Sequence, residues 1–140
     1  CNMSKKQSRS EARQEAFKLI FQTEVNRDDI EFLIDEMLLH KPESKQNIDY
    51  IRAVLFGTLE KEEEIKKDIA DNLSGGWKIE RISRVSYALL KLAIYEIKYM
   101  EDIPMKVSIN EAVELDKKFD EPDNSAFING VLGSFCRKNQ

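Results

Sequence analysis

The chain has 140 residues and a mass of 16.3 kDa, the size of one ordinary domain. Hydrophobic residues make up 41% and charged residues 34% of it, a composition that excludes both a disordered polar chain and a membrane protein. The net charge of −4 argues against indiscriminate attraction to nucleic acid.

At the start of the chain, Met3 fits a natural first residue, so Cys1 and Asn2 are interpreted as additions. No charged-then-apolar leader follows Met3, and we expect a cytoplasmic protein. Cys136 is then the sole native thiol, which excludes an internal disulfide framework and a cysteine-based metal site.

Apolar residues recur at spacings of three and four along the whole chain, which predicts an all-α fold. The first helix begins near Ser8, whose spacing to Glu11 is that of a capping box, and ends around Asn26. The pair Asp28 and Glu31 gives a similar start signal for a second helix, which ends at the polar stretch around residue 42.

From Ile48 to Leu73, apolar residues keep the spacing of one helix face without interruption, which predicts one long helix. Gly75 and Gly76 stop it. A short helical turn over 79–82 leads into a helix over 85–100 with little polar face, which we expect to be central and buried. Further helices follow Pro104 and Pro122. The expected architecture is about seven helices in one domain over 1–140, with small helical subdomains at about 8–74 and about 77–138 packed against each other.

The acidic stretch from Ser108 to Phe119 raises the question of catalysis. The Ser108 and Glu111 spacing predicts a helix cap, whereas Asp116 falls on the apolar stripe and needs a partner or a place at the core edge. A helical metal site needs histidines at defined spacing, and His40 is the only histidine. Spacing alone leaves a glycosidase-type carboxylate pair open. We predict no catalytic residue, no metal site and no cofactor.

Basic residues at the chain start are the feature that points to a partner. Residues 1–18 have a net charge of +3, so residues 19–140 carry −7. Lys5 and Lys6 precede the first helix, and Arg9 and Arg13 share one helix face. Cations at a helix start oppose the helix dipole, so their placement favours an anionic ligand such as an RNA backbone. A solvated basic tail is the alternative.

Several sequence blocks together resemble the NusB family of bacterial transcription antitermination factors. These blocks are Ala12-Arg13 with Ala16 and Phe21-Gln22, Trp77-Lys-Ile-Glu-Arg-Ile82, Leu90-Lys-Leu-Ala-Ile-Tyr-Glu96, Ile103-Pro-Met-Lys-Val-Ser-Ile-Asn-Glu-Ala-Val-Glu-Leu115 and Phe127-Ile-Asn-Gly-Val-Leu132. The resemblance implies an all-helical, non-enzymatic protein that binds the boxA element of ribosomal-RNA leader transcripts. It also implies joint binding with a small-subunit ribosomal protein, NusE, and association with RNA polymerase and other Nus factors.

The resemblance also implies particular site residues. With the two lysines of the basic start, the expected RNA-binding set is Lys5, Lys6, Arg9, Arg13, Lys91, Asp123 and Phe127. The expected partner-binding set is Phe17, Phe21, Ser86 and Tyr87. Ser86 and Tyr87 replace what is commonly an acidic-basic pair. The Phe127 ring fits either a core position or a partly exposed RNA contact.

Two other functions remain open at this point. A similar helical module precedes the catalytic domain in some ribosomal-RNA cytosine methylases, so the chain could be an accessory RNA-binding domain of such an enzyme. Some relatives self-associate, so a homodimer or a homo-oligomeric structural protein is the second alternative.

Overall fold

The computed structural model describes residues 5–26, 29–75 and 77–139, and over these residues the protein is all-α with no strand. The all-helical prediction is confirmed. The seven α-helices of the described residues are α1 (Arg9–Val25), α2 (Ile30–His40), α3 (Ile48–Glu60), α4 (Glu62–Ala70), α5 (Arg84–Tyr99), α6 (Met105–Phe119) and α7 (Pro122–Lys138). Short 3-10 turns occupy Pro42–Asn47 and Ile79–Arg81. None of the described helices has the length and apolar character that crossing a membrane requires.

The chain divides into two compact units, Cys1–Gly57 and Thr58–Gln140, so that the division falls inside α3. The predicted subdomain limits near residues 74 and 77 therefore lie within the second unit, and they stay a prediction. The expected start at Met3, the cap at Asp28 and the stop at Gly76 fall outside the described residues.

In the first unit, α1 and α2 contact each other and the 3-10 turn between α2 and α3. The capping box that the sequence predicts at α1 is present: the Ser8 hydroxyl accepts a hydrogen bond from the Glu11 amide, and the Ser8 amide donates to the Glu11 carboxylate. The second helix is capped by Asp29, whose carboxylate accepts hydrogen bonds from two amides of the first turn. The buried apolar side chains of this unit are Ala12, Ala16, Phe17, Leu19, Ile20, Ile34, Met37, Tyr50, Ile51, Val54 and Leu55.

The single long helix predicted from Ile48 to Leu73 is wrong, because the chain leaves helical geometry at Lys61. This residue has φ −100° and ψ 19°, and α4 starts directly after it. The new start places three carboxylates, Glu62, Glu63 and Glu64, in the first turn of a helix. Acids are favoured there by the helix dipole, whereas in the middle of one continuous helix they would repel each other without that compensation.

In the second unit, α5 contacts α4, α6 and α7, which confirms the prediction of a central helix. Its buried apolar residues form a run with almost no exposed surface, interrupted by the buried Lys91: Ala88, Leu89, Leu90, Leu92, Ala93 and Ile94. The burial of such a run removes apolar surface from water on every side of the helix, at about 25 cal/mol per Å². This helix therefore organises the second unit.

The helix cap predicted at Ser108 and Glu111 is wrong. Helix α6 begins one turn earlier, at Met105. Its N-cap residue is Pro104, whose ring fixes its own φ angle near −60°, a value that suits a helix start. Ser108 is therefore inside the helix, where its hydroxyl donates a 2.8 Å hydrogen bond to the Glu96 carboxylate on α5. Both side chains are buried, with 1% and 0% of their surface exposed.

Asp116 is completely buried and has the partner that its position on the apolar stripe requires. The Ser86 hydroxyl lies 3.2 Å from one of its carboxylate oxygens. Burial, together with the nearby charge of Asp120, raises the pKa of Asp116 to about 7. Burial also acts to raise the pKa of Asp120, but hydrogen bonds from Ser83, the Glu121 amide, Asn124 and Ser86 outweigh burial and lower it.

Candidate RNA-binding surface

The segment before α1 is fixed on the 3-10 turn by side-chain hydrogen bonds. The Gln7 amide donates to Gln46 Oε1 over 3.0 Å, and the Gln7 side chain donates to Ser44 Oγ over 2.7 Å. In return, Gln46 donates to the Lys5 carbonyl over 2.6 Å and Asn47 donates to Gln7 Oε1 over 3.0 Å. The backbone that carries the first basic residues is therefore held in one conformation.

Three exposed cations, Lys5, Lys6 and Arg9, form what we call the N-terminal basic surface. The Arg9 guanidinium lies 4.4 Å from the centre of the Tyr50 ring, and its Nε donates to Asn47 Oδ1 over 3.4 Å. A guanidinium over an aromatic face is attracted by the ring quadrupole and loses some of its freedom. The Arg9 charge is thus positioned before any ligand arrives.

Arg13 does not join this surface, although it lies one turn after Arg9 as the spacing predicts. Only 3% of its surface is exposed, and its guanidinium lies 5.7 Å from the centre of the same Tyr50 ring. In this arrangement Arg13 supports Tyr50 from inside the unit. Its direct contact with RNA stays a prediction.

Acidic side chains limit the charge of the basic surface. Lys5 Nζ lies 3.9 Å from carboxylate oxygens of both Glu11 and Glu43. Hydrogen bonds from the backbone and side chain of Ser8 lower the pKa of Glu11, so this acid is ionised at neutral pH. The surface is consequently suited to a modest, salt-sensitive interaction with an anionic polymer.

The RNA-binding residues predicted in the second unit differ in exposure. Asp123 is exposed in the first turn of α7, and Phe127 is half-buried, with its ring centre 5.4 Å from that of Trp77. Lys91 is buried, with 1% of its surface exposed, and its ammonium lies 4.6 Å from the centre of the Tyr87 ring. Asp123 and Phe127 therefore offer surface to a ligand, whereas Lys91 offers almost none.

The four predicted partner-binding residues also divide by exposure. Phe17 and Ser86 are buried, with 3% and 1% of their surface exposed. Phe21, whose ring centre lies 6.3 Å from that of Phe17, and Tyr87 are both half-buried. Phe21 and Tyr87 are thus the two members of this set that a partner can reach directly, and the assignment of all four stays a prediction.

Tyr50 and Asn47 were not anticipated from the sequence as supports of the basic surface. Tyr50 is buried near the start of α3, and Asn47 is the last residue of the 3-10 turn. Both act through contacts across about 40 residues of sequence, which local spacing does not report.

Among the described residues, no group of three or more histidine, cysteine or acidic side chains could hold a metal ion.

Comparisons with known proteins identify the family. The NusB family model matches residues 10–137. The transcription antitermination protein NusB of Clostridium novyi (strain NT) is 36% identical over 132 residues, covering 93% of this chain and 98% of that protein. The T. maritima NusB structure has a TM-score of 0.86 at 32% identity, over 96% of this chain and 94% of that chain. A crystal structure of antitermination factors NusB and NusE in complex with dsRNA shares the fold, with a TM-score of 0.82 at 24% identity over 93% of this chain and 96% of that chain. The chain belongs to the NusB family.

Proposed function

We propose that the protein is a transcription antitermination factor that binds boxA RNA through its N-terminal basic surface, together with a NusE protein. The observation that carries this proposal is the fixed backbone beneath Lys5, Lys6 and Arg9, combined with membership of the NusB family. The transcription antitermination protein NusB of Clostridium novyi matches 93% of the chain.

The geometry of the basic surface suits a sugar-phosphate backbone. Each cation that neutralises a phosphate releases condensed counterions, so affinity arises without recognition of individual bases. Because Gln7 and Asn47 hold the preceding segment, and Tyr50 holds Arg9, less conformational freedom is lost when RNA binds. The basic surface therefore positions the RNA, and other contacts provide sequence preference.

A second protein supplies the further contacts that tight RNA binding needs. The three exposed cations, of which Lys5 lies close to Glu11 and Glu43, give weak affinity on their own. NusE would share the RNA, and the accessible members of its predicted binding set are Phe21 in the first unit and Tyr87 in the second. The joint complex would then associate with elongating RNA polymerase and other Nus factors in the cytoplasm, so that transcription of ribosomal RNA passes termination signals.

A gel-shift titration tests this function. Labelled boxA RNA is titrated with this protein, with NusE and with an equimolar mixture, each at low and at raised salt. We expect the mixture to bind far more tightly than either protein alone and to lose affinity as salt rises. A scrambled RNA of equal length is the control. Equal binding of boxA and scrambled RNA by the mixture contradicts the proposal and leaves only a solvated basic tail.

A further inference from the structure

A second aromatic and basic surface lies in the second unit, around the turn between α4 and α5. Trp77 is 52% exposed, and its ring makes an angle of 45° with that of Phe127. Two surface depressions adjoin Trp77. The larger, of about 380 Å³, lies between Trp77 and α7. The smaller, of about 290 Å³, is lined by Gly75, Trp77, Lys78 and Arg81.

The end of α4, shortly before Trp77, is bonded to α7, the helix that carries Phe127. The Ser134 hydroxyl of α7 donates a 2.6 Å hydrogen bond to Asn72 Oδ1, and the Asn72 side chain donates to the Asp68 carbonyl over 2.7 Å. Lys138 Nζ donates to the Asp71 carbonyl over 2.9 Å. These bonds hold the end of α4 on α7, and the Trp77 and Phe127 rings contact each other directly, so the larger depression is present before a ligand binds.

The charged residues that line the two depressions are of one sign. Lys78 and Arg81 line the smaller depression, and Arg137 lines the larger one beside Phe127. No aspartate or glutamate is among the described residues that line either depression. The combination of flat aromatic faces with cations on both sides fits a ligand that is both planar and anionic.

We propose that Trp77 and Phe127 form a stacking platform for an unpaired RNA base, and that Lys78, Arg81 and Arg137 contact the flanking phosphates. The proposal rests on the proposed function, because it assigns a second contact to the same RNA. Single-stranded nucleic acid is the ligand class that uses this combination, since every unpaired base offers a flat face and every linkage carries a charge. In a duplex the same faces are covered by neighbouring bases.

The chain offers a direct spectroscopic reporter for this contact. Trp77 is the single tryptophan of the sequence, so its fluorescence reports one site. Titration of the protein with short single-stranded boxA RNA at low salt should quench this fluorescence to a saturable level, because a stacked base quenches indole emission. RNA of equal length and charge that lacks bases is the control, and it should leave the emission nearly unchanged.

Affinity measurements on two kinds of variant test the same contact. Trp77→Ala should weaken boxA binding about tenfold, while Trp77→Phe, which keeps a flat ring, should restore most of the affinity. Gly130→Leu fills the larger depression instead of removing a ring. A Cβ built at Gly130 meets no atom within 4 Å, and leucine favours a helix over glycine, so the variant should fold and still weaken RNA binding.

The outcomes separate this proposal from the proposed function. If the wild-type protein with NusE binds boxA RNA, but Trp77→Ala and Gly130→Leu bind equally well and the fluorescence does not change, the stacking platform is wrong and the function stands. If Trp77→Ala weakens binding of NusE and leaves RNA affinity intact, the surface is a protein contact and the proposal is overturned. If the wild-type protein mixed with NusE does not bind boxA RNA, both the stacking platform and the proposed function are contradicted.

Discussion

The Ser86 hydroxyl lies 3.2 Å from the Asp116 carboxylate in the second unit, and neither residue has more than 1% of its surface exposed. The same hydroxyl lies 3.1 Å from Asp120, whose carboxylate also accepts hydrogen bonds from Ser83 and Asn124. Residues of α5, α6 and α7 therefore meet at one small polar cluster. A buried acid at such a junction makes stability depend on pH.

The first prediction concerns that pH dependence. The folded-state pKa of Asp116, about 7, lies above its ordinary value of 3.8. Its contribution to stability is therefore fully present below pH 3.8 and is lost as pH rises through 7. Between pH 5 and pH 8 the loss is about 2–3 kcal/mol. Urea unfolding of Asp116→Asn should show a flatter stability profile over this interval than the wild type shows.

The comparison of the two proteins removes the effects of acids that do not contact Asp116. Hydrogen bonds from Ser8 lower the pKa of Glu11, and a hydrogen bond from Arg52 lowers that of Glu31, so both oppose the Asp116 trend. Their contributions cancel in the difference between wild type and variant. Parallel stability profiles for the two proteins from pH 5 to pH 8 would show that Asp116 does not titrate in this range.

The second prediction concerns the buried hydrogen bond between Ser108 and Glu96. Ser108→Ala removes a donor from a fully buried carboxylate and should lower the free energy of unfolding by about 1–3 kcal/mol. Thermal or urea unfolding measures the change. Ser10→Ala, at an exposed position of α1, is the matched control and should change stability by less than about 0.5 kcal/mol. Equal stability of the two variants would contradict a structural role for Ser108.

The third prediction separates positioning from charge at the N-terminal basic surface. Asn47→Ala leaves net charge unchanged but removes hydrogen bonds to the Gln7 side chain and to Arg9. We expect boxA RNA to bind the variant with NusE several-fold more weakly, because the segment before α1 must then be ordered on binding. The control variant is Lys45→Ala, which alters an exposed residue of the same turn. It should lose no more RNA affinity than the removal of one positive charge accounts for. A larger effect of Lys45→Ala than of Asn47→Ala would count against preorganisation.

The helical content follows from the sequence because it is set locally. Periodicity and proline positions locate α1, α2, α5, α6 and α7, and the Ser8 capping box is correct to the residue. The errors arise where local signals compete. Ser108 has the spacing of a cap, but Pro104 starts the helix a turn earlier. Continuous apolar phase hides the break at Lys61, since Ile65 and Ile69 of α4 continue the helical spacing of the buried Ile51, Leu55 and Thr58 of α3.

Exposure at the candidate site could be predicted only in part. Helix spacing correctly places Arg9 and Arg13 on one side of α1, but burial of Arg13 depends on Tyr50, more than thirty positions away. Phe127 carries an aromatic signal in the sequence, whereas the nearness of Trp77 and Arg137 depends on how the turn after α4 meets α7. A tryptophan next to a glycine turn, followed by lysine, was the available hint.

Binding of labelled boxA RNA by the protein together with NusE, measured by fluorescence anisotropy, tests the RNA-binding role most directly. The Lys5→Glu, Lys6→Glu, Arg9→Glu variant reverses the N-terminal basic surface and keeps the buried Arg13. A control reverses three exposed lysines of the second unit, Lys66, Lys106 and Lys117, and so matches the change in net charge. We predict that the first variant loses at least about tenfold in affinity and that the control stays near wild type. Equal affinity of wild type and the first variant would contradict an RNA-binding role for this surface.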